Sequence, residues 1–359
     1  MTERMRCSSS IVPGGAAIVS AASADMLRLE PGTGTYASHY GKQVSAIDTG
    51  TRAHFTTFVR KTQRLDTQDA SFIMNPIQEE YLRFVKTLEE IRRIQKTFSR
   101  CHFLGTQNLT VVFETTPETV RQLLPPPLEP TPEPLGSAWV AQIGNSNCVG
   151  PFLGAALYIK ARYKDIIGNY CVTMPVSTSE AVVFGRELYG EPKKLAKIIF
   201  EQQDEHVWGY AERNEIRLIS LRGRMTGAAA TGRRESSTFH FKFTPRVDGV
   251  GFDSPPRLIH VTSDTNTRVG RRGRGELVFR DSPHDPVADI PVRQVIEAVY
   301  TEGDVYTSAQ VLCEVDPEQF LPYAFSKMDA VDVVAEGTLL HAQAARKTRQ
   351  GKGQWRTAS

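Results

Sequence analysis

The chain has 359 residues, 40% apolar and 23% charged, with a formal net charge of +3. That composition fits a folded protein of about two to three domains. No run nears the ~18 consecutive apolar residues of a membrane helix, so integral membrane association is not expected. Residues 342–359 carry Arg346, Lys347, Arg349, Lys352 and Arg356 and no acid, which leaves a nearly neutral body and argues against nucleic acid as a partner.

Five scattered cysteines, Cys7, Cys101, Cys148, Cys171 and Cys313, are odd in number and predict free thiols in a reducing cytoplasm. No Cys-x-x-Cys, His-x-x-x-His or His-Glu-x-x-His spacing occurs, so no metal and no other cofactor is expected.

In chain order, residues 1–65 are rich in Ser, Ala, Gly and Thr and read as a disordered leader. Within it, Gly32-Thr33-Gly34-Thr35-Tyr36-Ala37 lacks the strand–helix setting of a dinucleotide site. Residues 66–100 form an amphipathic helical extension. Its helix opens at Asn75-Pro76, with Gln78 at the capping-box position and an apolar stripe of Ile77, Tyr81, Phe84, Leu88, Ile91 and Ile94.

From Cys101 the period changes to two, over residues 101–330. Strands are predicted at Leu109–Phe113, Ala138–Ile143, Ala155–Tyr163, Asn169–Met174, His206–Glu212, Ile216–Met225, Ser237–Thr244, Leu258–Thr262, Glu276–Arg280 and Val305–Val315. Helices are few: Pro117–Leu124, about Glu180–Tyr189, and Pro317–Phe325. So many strands with so few crossovers predict a mainly β fold with flanking helices, its sheet antiparallel and closed as a barrel or a sandwich. Arg268, Arg271, Arg272 and Arg274, spaced by glycines, read as a solvated hairpin. Cys148 and His240 read as packing residues. Residues 331–359 read as a helical and then disordered basic tail.

The densest passage is Gly185-Arg186-Glu187-Leu188-Tyr189-Gly190-Glu191-Pro192-Lys193-Lys194-Leu195. Gly190 suits a left-handed cap and Pro192 prevents continuation, so two lysines follow a rigid corner. On extended backbone neighbours face opposite ways, and one lysine can enter the barrel while the other stays outside. Burial disfavours the ammonium, and the neutral amine condenses with a ketone to an iminium that accepts electrons from a breaking bond. A Lys-Lys pair alone more often marks a solvated surface.

The passage resembles the active-site segment of the acetoacetate decarboxylase family, Gly-Arg-Glu-x-x-x-x-Pro-Lys-Lys-Leu; acetoacetate decarboxylase is itself the established example of such an activated lysine. Val111–Leu128, with Leu123-Leu124-Pro125-Pro126-Pro127-Leu128, is similar to the family's first strand, helix and proline segment. Gly273–Val292 is similar to its late strand and Leu-Pro-Val segment. The resemblance spans roughly residues 103–325. It implies a cone-like, closed antiparallel β-barrel, a homo-oligomer, Lys193 as Schiff-base nucleophile and Lys194 as its pKa-lowering cationic neighbour. It also marks Glu180 and Arg186 as possible pocket residues. Counting along the strands, the family's pocket glutamate falls at Gly154 and its pocket arginine near Thr106-Gln107, so neither charge is expected here. The Glu-to-Gly change vacates volume and suits a longer, more apolar acyl chain. The reaction implied is decarboxylation of a β-keto acid larger than acetoacetate, such as a polyketide or secondary-metabolite intermediate. A lysine-iminium aldolase, dehydratase or cyclase, and a non-catalytic small-molecule-binding relative, are the alternatives.

Overall fold

The computed structural model describes residues 82–330 and the two-residue segment Arg356–Thr357. The expected leader at residues 1–65 and most of the basic tail lie outside the described residues. Helix α1 (Leu88–Ser99) follows residues 82–87, which are not helical, and the expected opening at Asn75-Pro76 lies outside the described residues. Thr87 takes the N-cap and closes a capping box with Glu90, which satisfies the first-turn donors at that point. No helix among the described residues is long and apolar enough to cross a membrane.

The period-two segments become β1 (Cys101–Glu114), β2 (Glu129–Pro130), β3 (Leu135–Ile143), β4 (Asn145–Ser146), β5 (Phe152–Tyr163) and β6 (Ile166–Val176), with helix α2 (Pro117–Leu123) after β1. Helix α3 (Ser179–Tyr189) leads into β7 (Lys193–Leu195), β8 (Lys197–Gln203), β9 (His206–Arg213), β10 (Ile216–Ala228), β11 (Gly232–Lys242), β12 (Arg257–Phe279) and β13 (Gln294–Glu314). Helix α4 (Pro317–Ala324) follows, and β14 (Arg356–Thr357) pairs with β12.

One sheet contains all the strands, with the main path β11-β6-β5-β3-β1-β13-β12-β10-β9-β8. β11 pairs with β6 and also with the N-terminal half of β12, for example Phe239 with His260. The fold is mainly β, as expected, but the simple closed antiparallel barrel needs correction. The β11–β6 and β6–β7 pairings are parallel, and β8 has a strand partner on one side only among the described residues. The β7–β10 excursion separates β6 from β11 and returns the chain in the same direction.

A second correction concerns Arg268–Arg274, which is continuous strand and not a hairpin. β12 and β13 stay paired through it, Thr267 with Gly303 and Gly273 with Ala298, across one bulge. The glycines admit close strand approach: a Cβ on Gly273 would lie 1.8 Å from the Arg224 carbonyl oxygen.

Alternation gives the strands two functions. Leu109, Val111 and Phe113 of β1, Leu157 and Ile159 of β5, and Phe239 and Phe241 of β11 enter the main core. Their neighbours Thr106, Asn108, Tyr158, Thr238 and His240 face a cavity on the other side. A β-bulge between Phe103 and Thr106 lets Phe103 line that cavity too.

Candidate active site

Helix α3 is capped by Thr178, whose hydroxyl accepts from Ala181 N, and it buries Ala181, Gly185 and Tyr189 along one stripe. It ends at Gly190, which adopts φ +72° as a left-handed cap. A Cβ there would meet Lys242 Cα at 2.6 Å and the Phe241 carbonyl oxygen at 2.7 Å. Pro192 then stops the helix, and β7 runs parallel to β6 with Met174 opposite Lys193 and Pro175 opposite Lys194. The corner fixes which way each lysine points.

Lys193 enters a cavity of about 250 Å³ lined from β1, β3, β5, β6, β11, β12 and β13. Lys193 is 6% exposed, and its Nζ lies 2.8 Å from Glu191 Oε2 and 5.7 Å from the Phe152 ring centre. The approach is an ion pair whose direction falls short of a hydrogen bond, so Oε2 is buried without a hydrogen-bond partner. Helix α3 makes room for the pair at Gly185, where a Cβ would sit 2.2 Å from Glu191 Oε2 and 2.7 Å from Lys193 Nζ.

Burial pushes the Glu191 carboxyl up, but the charge of Lys193, aided by His240 and Lys327, outweighs it and holds the carboxyl below its ordinary range. Burial pushes His240 down to about 4, so its imidazole is neutral at pH 7. His240 Nε2 is 3.2 Å from Thr238 Oγ1, and Nδ1 has no partner. A carboxylate held in an ion pair and a neutral imidazole thus stand on the lysine's side of the cavity.

Lys194 points the other way. Its Nζ donates to Asp285 Oδ1 at 2.9 Å and to the His284 carbonyl at 2.9 Å, in a cluster that also holds Arg213 and Asp329. Its charge is thus compensated by carboxylates outside the cavity, and the nearest charge to Lys193 is the carboxylate of Glu191, not a free cation. The cluster ties β7 to the segment before β13.

The other expected pocket residues do not line the cavity. Glu180 is exposed in the first turn of α3. Arg186 donates to the Lys327 carbonyl at 3.4 Å. Gln107 alternates away, and its neighbours Thr106 and Asn108 face in. At Gly154, a Cβ would lie 3.3 Å from the Trp139 ring, so the indole takes the volume that the missing side chain was expected to vacate.

Two buried groups and one half-buried lysine were not foreseen as functional: Glu191, His240 and Lys327. Glu191 is brought beside Lys193 by a tight turn through Pro192, in which Lys193 N donates to the Glu191 carbonyl at 2.8 Å, and it restores to the cavity the carboxylate missing at Gly154. His240 shares its face with Thr238 by strand alternation along β11. Lys327 follows α4 and reaches back to donate to the carbonyls of Gly190 and Phe241; nothing local in the sequence marks so distant a contact.

The model of the family described as acetoacetate decarboxylase (ADC) matches residues 92–314. The acetoacetate decarboxylase of Paraburkholderia phytofirmans is 26% identical over 212 residues, 56% of this chain and 82% of that protein. The one from Paraburkholderia xenovorans is 27% identical over 212 residues, with the same shares of 56% and 82%. Among solved structures, acetoacetate decarboxylase from Legionella pneumophila superposes with a TM-score of 0.55 at 19% identity, covering 60% of this chain and 87% of that one. The enduracididine biosynthesis enzyme MppR, complexed with the condensation product of pyruvate and imidazole 4-carboxaldehyde, gives 0.54 at 16% identity, covering 60% and 90%. These structural likenesses speak for the fold; the sequence match, over more than half of the chain and across the lysine corner, shows that the chain belongs to the acetoacetate decarboxylase family.

Proposed function

We propose that the chain is a Schiff-base lyase that decarboxylates a β-keto acid larger than acetoacetate, with Lys193 as nucleophile. The observation that carries this reading is a buried lysine beside a buried carboxylate at the wall of a cavity, held by a rigid corner. The pairing of β11 with both β6 and β12 supports reading the cavity strands as the family's closed cone.

In this scheme Glu191 takes a proton from the Lys193 ammonium, the freed amine attacks the ketone carbon, and Glu191 passes that proton and then a second one, taken from the adduct nitrogen, to the departing oxygen. Water leaves and a protonated iminium remains. The bond to the carboxylate breaks, its electron pair moves into the iminium to give an enamine, and CO2 departs. One proton from solvent, delivered through Glu191 or His240, protonates the enamine carbon, and hydrolysis frees the ketone and Lys193. The apolar surroundings of Phe152, Trp139 and Met174 favour the step, because they solvate a carboxylate poorly and CO2 well.

A second reading is condensation or dehydration through the same iminium. It rests on Glu191 and His240, whose carboxylate and neutral imidazole line the cavity with Lys193 and suit proton removal beside an iminium, and MppR holds a condensation product on the same fold. Borohydride reduction in the presence of acetone, followed by peptide mass spectrometry, tests both. The expected result is an isopropyl adduct on Lys193, absent in Lys193→Arg; equal labelling of the variant defeats both readings. CO2 release from medium-chain β-keto acids then separates the first from the second.

A further inference from the structure

The cavity wall is divided by chemistry. Around Lys193 it is aromatic and aliphatic, whereas β12, β13 and β1 present Ser263, Thr265, Thr267, Thr301, Thr106 and Asn108. These residues stand together because the strands are neighbours in register: Thr267 pairs with Gly303 and Gly303 with Thr106, while Asn108 pairs with Thr301. All six are half-buried. No other side chain among the described residues engages the hydroxyls of Ser263, Thr265, Thr267 or Thr301. No charged residue belongs to this part of the wall; the cavity's Glu191 and Lys193 lie at the corner. Along β12, Thr265 and Thr267 stand beyond Val261, the rung opposite Thr238, by about 13 and 20 Å at roughly 3.3 Å per residue.

An apolar acyl tail gains little from such a wall, and a charged tail would find no counter-ion. A neutral tail bearing hydroxyl or keto oxygens would replace the water on these hydroxyls with hydrogen bonds, each hydroxyl acting as donor or acceptor. We propose that the Ser/Thr wall of β12 and β13 is a specificity subsite for a neutral, multiply oxygenated tail, carried by a ligand whose ketone lies at Lys193. The placement of that ketone rests on the Schiff-base reading. The proposal replaces the longer apolar chain expected from the Gly154 position with an oxygenated one.

The test compares two methyl ketones of equal length, nonan-2-one and 6,8-dihydroxynonan-2-one, by calorimetric titration of the full chain. Both carry the same head, so any contribution from Lys193 cancels in the ratio of dissociation constants. The dihydroxy ketone is expected to bind about tenfold tighter. The double variant Ser263→Ala, Thr265→Val, at the two positions the probe's hydroxyls reach, is expected to bring the ratio within threefold, with Thr265→Val alone as a second variant should the first fold poorly. Equal or tighter binding of nonan-2-one to the native protein overturns the proposal, as does a tenfold ratio that survives in the folded variants. Failure of acetone trapping at Lys193 with the ratio intact would remove the reaction and leave the subsite standing.

Discussion

Gly185 owes its importance to what occupies the space beside it. A methyl group there would lie 2.2 Å from Glu191 Oε2 and 2.5 Å from Lys193 Cδ, so the ion pair and the helix cannot both keep their places. The atoms in conflict are the far ends of two flexible side chains, and these can swing without disturbing the backbone. Alanine is also the better helix residue, by about 0.5–1 kcal/mol. Gly185→Ala should therefore leave the thermal midpoint unchanged or slightly raised while displacing the nucleophile. A displacement of about 1 Å can cost on the order of 100-fold in rate, and borohydride trapping of acetone on Lys193 should fall accordingly. Native trapping rates in the variant would mean that the pair does not need its present geometry. Glu191 was hidden from strand alternation, because a tight turn through Pro192, with Lys193 N donating to the Glu191 carbonyl at 2.8 Å, carries it to the nucleophile, whereas Lys194, next after Lys193 on β7, had to face the opposite way.

The corner between α3 and β7 was legible because its signals are local. A glycine with φ +72° followed by proline ends a helix wherever it occurs, and the lysines come straight after it. Substituting Gly190 tests the corner as an element. Alanine in the left-handed region costs about 1–2 kcal/mol, and its Cβ would press on backbone of Phe241 and Lys242 that cannot swing aside. Gly190→Ala should lower the stability measured by urea denaturation by about 2 kcal/mol or more; a loss below 0.5 kcal/mol would show that the corner relaxes freely. Elements fixed by distant partners were harder to read. Arg268–Arg274 resembles a turn locally, yet it is held between β13 and β10, and the backbone at Arg224 and Ala229–Ala230 makes Gly273 and Gly270 points of close approach. The helical stripe likewise does not run through residues 82–87, where a capping box at Thr87 sets the start of α1. Which side chains share the cavity depends on the order of strands around it, and alternation within a strand cannot supply that order. For this reason Thr106 and Asn108 were not separated from Gln107 until β1 had its neighbours.

At the scale of the whole molecule, the cavity end near the lysine is a cost that pH should reveal. His240 is buried and neutral, with its pKa pushed by burial from 6.5 to about 4. A group depressed in the folded state contributes fully above its unfolded pKa and loses that contribution as pH falls toward the folded value. Stability should thus decline between pH 6.5 and 4 by about 3 kcal/mol. Lys327 follows the same rule at higher pH. Burial, reinforced by Arg186, pushes its pKa from 10.5 to about 7, so the unfolded chain holds more protons than the folded one above pH 7. Stability should rise by about 2 kcal/mol between pH 7 and 9, before the buried tyrosines of the core begin to oppose it. Tyr170 and Tyr300, whose phenols burial pushes well above their ordinary range, lose stability as pH passes their unfolded value of 10. Urea denaturation at half-unit pH steps measures both limbs. His240→Gln should flatten the acid limb alone, and Lys327→Met the limb from pH 7 to 9 alone. Because Lys327 holds the Gly190 carbonyl, Lys327→Met should also loosen the catalytic corner and slow trapping at Lys193, whereas His240→Gln leaves that corner's backbone contacts intact. Parallel stability profiles for the native chain and both variants would show that neither buried base sets the pH dependence of the fold.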